Sequence, residues 1–283
     1  MQERHPRSVK DLVGAVALME GAGVRVKRTI ALPVLDHLDP FLLLDAFDTE
    51  DPTEYISGFP DHPHRGIETV TYMLEGRVRH ADSMGNSGVI GPGDAQWMTA
   101  GRGIIHSEMP EQEQGLLRGF QLWVNLPASE KLCEPRYQEV PADGIPVLER
   151  ESALIRVISG RIDGVRGPIT EIVTDPLFLD VSLEPGGALS LPVQQGHSAF
   201  VYVFEGGGSV DGTHVPPSTL AVLADGDRID LLSGDRPMRL LLVAGRPLDE
   251  PIARWGPFVM NTQEEIAQAI EDYRQGTFAA PPA

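Results

Sequence analysis

The feature that most constrains the fold of this chain is an internal repeat. Residues 64–76 read His-Arg-Gly-Ile-Glu-Thr-Val-Thr-Tyr-Met-Leu-Glu-Gly, and residues 194–206 read Gln-Gln-Gly-His-Ser-Ala-Phe-Val-Tyr-Val-Phe-Glu-Gly. Both are apolar runs that carry a tyrosine at the same offset and close in Glu-Gly, about 130 residues apart. Two copies of one β-domain is the economical reading of such self-similarity. Pro92-Gly93-Asp94 and Asp225-Gly226-Asp227 are taken as a second matching pair. A length of 283 residues suits two domains of ordinary size. The Pro-rich stretch at 135–146 predicts the junction, which gives an N-terminal domain over 1–138 and a C-terminal domain over 139–283.

Thirty glycines and 24 prolines punctuate short apolar stretches, the pattern of an all-β sandwich or barrel rather than a helical protein. Thr69–Leu74, Phe120–Leu126, Leu154–Ile158, Phe200–Phe204 and Leu240–Ala244 are the clearest strands. One segment differs. Thr262 followed by Glu265 is a capping box, Ile266, Ile270 and Tyr273 repeat with helical period, and Gly276 stands where a helix stops. This predicts a C-terminal α-helix packed by its apolar stripe, with the final Ala-Ala-Pro-Pro-Ala frayed beyond it.

Composition excludes several classes. With 41% hydrophobic and 23% charged residues the chain has the means to build cores. Near the start the longest uncharged apolar run, Leu12–Met19, is eight residues, far short of a membrane span. No membrane association and a cytoplasmic location are therefore expected. One cysteine, Cys133, forbids an intrachain disulfide and reads as a packed or loop thiol. The formal net charge of −18 would repel a phosphate backbone, so direct nucleic-acid binding is not expected.

Chemistry concentrates in the amino half. His62-Pro-His64 and His106-Ser-Glu108 each put two ligand-type side chains at i and i+2, which point the same way from a strand. Two such pairs can converge on one ion of the kind that imidazole and carboxylate accept: iron, manganese, zinc, copper or nickel. Counted from His64, the even positions Glu68, Val70, Tyr72 and Leu74 share one face, read as the barrel interior, so parity admits Glu68 as a carboxylate ligand as readily as Glu108. His80, outside any paired spacing, is expected at the surface or behind the ligands; His5, His37, His197 and His214 are scattered.

These residues resemble a known family. His62-x-His64-x3-Glu68, a turn glycine at Gly76, then Pro92-x-Gly with His106 downstream resemble the two motifs of the cupin superfamily of jelly-roll barrels. The longer strings resemble the pirin family: His62 through Tyr72, Gly93 through Pro110, Gln121-Leu-Trp-Val-Asn-Leu126, Gly256-Pro-Phe-Val-Met-Asn-Thr262 and Asp39-Pro-Phe-Leu-Leu-Leu-Asp45. The resemblance implies a bicupin: two cupin-type β-barrels, one mononuclear iron(II) held in the first by His62, His64, His106 and Glu108, and Glu68 as a residue behind the ligands or a tentative base. Zinc, manganese, copper and nickel are the alternative metals.

Counting along the repeat gives Pro192, Gln194 and Ser198 as counterparts of His62, His64 and Glu68, and Arg239 and Leu241 as those of His106 and Glu108, so the second barrel is expected to lack a ligand set. By resemblance the activity is that of a quercetin 2,3-dioxygenase, or quercetinase: oxidative ring cleavage of a flavonol-like aromatic substrate chelated to the metal. The other implied role is a redox-sensitive iron-binding regulator that contacts a transcription factor or metabolic enzyme, a partner for which the acidic surface suits a basic protein.

Overall fold

The apolar runs between turn residues form the strands their composition predicts. Ile67–Glu75, Leu117–Asn125, Ala153–Ser159, Ser198–Glu205 and Met238–Gly245 contain the expected segments, with Leu126 alone falling beyond its strand. The computed structural model describes residues 5–279, so the frayed end expected for the last residues lies, apart from Ala279, outside the described residues. Among these, no helix is long and apolar enough to cross a membrane.

Packing divides the described chain into two units. The first comprises residues 17–31, 41–142 and 248–279; the second comprises 5–16, 32–40 and 143–247. Each is built on a seven-stranded and a four-stranded sheet whose strands pair antiparallel, and the first also holds the one α-helix among the described residues. In the first unit the larger sheet runs Arg136–Val140, Ala95–Thr99, Ile67–Glu75, Leu117–Asn125, Phe41–Thr49, Val24–Ile30, Val16–Glu20; the smaller runs Phe59–His64, Ile104–Pro110, Val78–Asp82, Ser87–Ile90. In the second unit the larger runs Val9–Gly14, Thr219–Leu223, Ser198–Glu205, Met238–Gly245, Leu177–Leu183, Ala153–Ser159, Val147–Arg150; the smaller runs Ala188–Pro192, Arg228–Ser233, Gly208–Val210, Thr213–Val215. The two orders correspond place for place. Ile67–Glu75 and Ser198–Glu205 both stand third, with Tyr72 and Tyr202 buried and Gly76 and Gly206 at φ 81° and 64°, a conformation glycine adopts without strain.

The outermost place is the exception. It is filled in the first unit by Arg136–Val140 and in the second by Val9–Gly14, which pairs with Thr219–Leu223. The strand Val9–Gly14 thus completes the second unit, and residues 248–279 pack in the first. A single cut at 138/139 does not describe this arrangement, because a pairing between distant segments leaves no mark on local composition.

Two sequence counts also need correcting. The paired register sets Ile104 opposite His64 and His106 opposite His62, while Arg228 is opposite Pro192 and Asp230 opposite Ser190. On these two strands Leu189, Leu191, Ile229 and Leu231 enter the apolar interior, whereas Ser190, Pro192 and Asp230 face away from it, so the places that the histidines take in the first barrel are held here by apolar side chains. Pro92–Asp94 precedes the strand Ala95–Thr99, whereas Asp225–Asp227 precedes Arg228–Ser233, so these turns are not equivalent.

The interiors differ in kind. One apolar cluster runs through the second barrel, from Ile155 and Val157 to Leu191, Val201, Ile229, Leu240 and Leu242. In the first barrel Val24, Val26, Phe47, Met73 and Leu117 form one cluster, and Leu42, Ile67, Met98, Ala100, Ile104 and Val259 another. The helix is Gln263–Gln275, with the reciprocal Thr262–Glu265 capping box and Gly276 at φ 72°. Ile266 and Ala269 are buried, whereas Tyr273 is 41% exposed, so the buried stripe is narrower than the sequence period suggests.

Candidate metal centre

In the first barrel, strands Phe59–His64 and Ile104–Pro110 lie side by side with His62 directly opposite His106. The i, i+2 spacing holds: the His62 and His64 rings share a face, 4.8 Å apart and edge to face, and His106 lies 4.4 Å and 5.1 Å from them. Their ligand nitrogens all fall within 4.8 Å of one another, the one such group among the described residues. A bulge between His106 and Glu108 shifts the register, and Glu108 joins His62 and His64 in lining a cavity of about 540 Å³ that also meets Gln121, Trp123 and Arg254. The Glu108 carboxylate accepts a hydrogen bond from Thr71 at 3.0 Å.

Electrostatics favours neutral imidazoles here. Burial, and the nearness of His106 and His62, push the His64 pKa far down; burial, with His62 and His80, does the same to His106. Burial raises the Glu108 pKa against the opposing pull of His62. Both ring nitrogens of His106 and Nδ1 of His64 are buried without a hydrogen-bond partner, an arrangement that costs free energy unless something accepts those lone pairs. His62 Nδ1 is 2.9 Å from the Pro60 carbonyl; donating there leaves Nε2 as the acceptor, the second-layer bond that fixes a ligand's tautomer. The structure brings the three histidines together, while Glu108 lines the cavity beside them without joining that close group; three imidazoles with a carboxylate at hand fit a divalent transition ion, and an adjoining cavity is what an open rather than a closed coordination sphere requires.

Glu68 is elsewhere. Cross-strand pairing sets it with Thr99, on the face of Ile67–Glu75 opposite to Thr71 and Gln121, and it accepts from Thr99 at 2.7 Å. Parity counted from His64 fails because Gly66, at φ 77°, turns the chain between two strands of different sheets. Neither the reading of the even positions as the ligand face nor that of Glu68 as a base beside the metal agrees with this geometry. Burial lifts its carboxyl to about 7, with Thr99 pulling the other way.

His80 is buried rather than at the surface; it pairs with Glu108 across the strands, and its Nε2 is 2.7 Å from a Glu139 oxygen. The Cys133 thiol is half-buried and pushed up by burial and by Glu130 and Glu68, the opposite of an activated thiolate.

Sequence reasoning missed the wall that the carboxy-terminal segment supplies. Arg254 lies 5.0 Å above the Trp123 ring, and Trp123 in turn packs edge-on to His64 at 5.0 Å. It also missed Lys131, buried, whose ammonium donates to the Gly66 carbonyl at 2.9 Å, Asn125 at 2.8 Å and the Val259 carbonyl at 3.0 Å. No spacing rule links these positions; the one local hint was the glycine immediately after His64-Arg65.

The Pirin family model matches residues 23–124 and the Pirin C-terminal cupin domain model matches residues 178–279. The chain belongs to the pirin family. A pirin-like protein of Caulobacter vibrioides is 48% identical over 276 residues, covering 96% of this chain and 99% of the relative, and human pirin is 46% identical over 261 residues, covering 90% and 88%. Among solved structures, a quercetin 2,3-dioxygenase from Acinetobacter baumannii superposes with a TM-score of 0.90 at 36% identity, covering 97% of this chain and 99% of its own. The fold is accordingly two cupin domains with a C-terminal helix.

Proposed function

We propose that the chain is a quercetin 2,3-dioxygenase-type oxidoreductase, with one iron(II) held by His62, His64, His106 and Glu108. The observation that carries this reading is the histidine triad with its unpartnered buried nitrogens, opening on a cavity large enough for a flavonol-sized ligand. The similar Acinetobacter protein bears that activity in its name. Bound iron would supply Lewis acidity toward the chelating oxygens and an electron path between substrate and dioxygen. The chain's part is positional. Trp123 gives the cavity an aromatic wall, Arg254 a cation beside it, and burial, by lowering the His64 and His106 pKa values, keeps a lone pair on each of those rings free for the metal.

The test is anaerobic iron(II) loading followed by oxygen uptake with quercetin, wild type against His62→Ala. Metal-dependent uptake lost in the variant is expected. Tight metal binding with no uptake overturns the enzyme reading and leaves the regulatory, redox-sensitive one.

A further inference from the structure

Strand Ile67–Glu75 sends Thr71 into the barrel between two polar side chains. Its Oγ1 is 3.0 Å from Glu108 Oε1 and 2.8 Å from Gln121 Oε1. Thr71 and Glu108 are buried, and Gln121, the cross-strand partner of Thr71, lines the cavity beside His62 and His64. A hydroxyl carries one proton, and neither a carboxylate nor an amide carbonyl oxygen has one to give. A carboxylate that ligates a metal is ionised and only accepts. Thr71 must then donate to Glu108, and Gln121 can bond Thr71 only through its NH2 group. The oxygen and nitrogen of an amide are close to isosteric, so this orientation needs no movement beyond a flip of the carboxamide. It leaves the Gln121 carbonyl oxygen free of Thr71, on a side chain that lines the cavity.

We infer that Thr71 is a positioning residue that aims the Glu108 carboxylate, and that Gln121, oriented by Thr71, is a specificity-determining residue whose carbonyl oxygen accepts a hydrogen bond from a substrate hydroxyl. The inference rests on the reading that Glu108 is the metal's carboxylate. The substrate class it selects is an aromatic bearing a further hydroxyl beside two chelating oxygens. A substrate that lacks this hydroxyl leaves the Gln121 oxygen without a partner in a partly buried site.

Cobalt(II) titration of the full chain under nitrogen, followed by visible absorption, tests the first half. Thr71→Val is expected to weaken cobalt binding about 10- to 100-fold, the usual effect of losing a bond behind a ligand, and Thr71→Ser, which keeps the hydroxyl, to restore it. Glu108→Gln is the reference. If Glu108→Gln weakens binding and Thr71→Val does not, the positioning role is overturned while the site stands; if Glu108→Gln itself binds as wild type, the carboxylate assignment falls and the inference with it.

The second half is read on protein saturated with cobalt(II), using catechol, which offers two chelating oxygens, and pyrogallol, which adds a third hydroxyl. Wild type is expected to bind pyrogallol about tenfold more tightly, the worth of one hydrogen bond, and Gln121→Leu to lose that preference. No preference in wild type, or the same preference in Gln121→Leu, overturns it.

Discussion

The unpartnered nitrogens of His64 and His106 predict that metal stabilises the barrel, because an ion bound only by the folded state adds its binding free energy to folding. Iron(II) or cobalt(II) at a hundred times its dissociation constant is expected to stabilise the chain by about 2.7 kcal/mol. Thermal melts with metal, and again after a chelator, measure this; His106→Ala should melt alike in both. Glu68 makes a separate prediction. Burial lifts its carboxyl to about 7 from the usual 4.5, so between those values the folded chain holds a proton that the unfolded chain has released. Stability therefore falls as pH rises through that window, by up to about 3 kcal/mol, and levels off above it. Glu68→Gln, which cannot ionise, should lack this component in urea unfolding at pH 5, 6 and 7.5.

At the scale of elements, the turn that follows His64 is clamped by the carboxy-terminal segment. Arg65 pairs with Asp272 at 2.6 Å, donates to the Arg102 and Phe278 carbonyls and lies 4.4 Å over the Phe278 ring. Gly66 combines φ 77° with a Val259 carbonyl that would sit 2.0 Å from an added Cβ. Gly66→Ala is expected to cost at least about 2 kcal/mol from the left-handed backbone and the clash together. It should also weaken cobalt binding, because His64 stands two residues away; calorimetry and cobalt titration read the two effects. Losing the capping box in Thr262→Ala is worth about 1 kcal/mol in chemical denaturation, with little change at the metal.

At the scale of the whole molecule, the termini do not stay with the halves of sequence they adjoin. Val9–Gly14 covers the edge of Thr219–Leu223, and Val259 belongs to the apolar cluster around Ile67, Met98 and Ile104. A chain ending at Pro247 is expected to lose metal binding, because Lys131 loses the Val259 carbonyl and the cavity loses Arg254, Gly256 and Pro257. A chain beginning at Ala15 should instead expose the Thr219–Leu223 edge and become open to proteolysis within 143–247. Cobalt titration of the first and limited proteolysis of the second measure these outcomes.

The residue order alone determined what is local. Turn glycines and apolar runs gave the strands, the Thr262–Glu265 box gave the helix start, and the i, i+2 histidines put His62 beside His64 wherever that strand went. Alternation along one strand is a property of the backbone, so it survives any packing. Alternation across Gly66 does not, which is why Glu68 was legible as an acid near the histidines but not as one facing away from them. Only the tertiary structure, by pairing segments far apart in the chain, decided that Glu108 stands by the triad against Thr71, that Arg254 walls the cavity, and which unit each terminus completes.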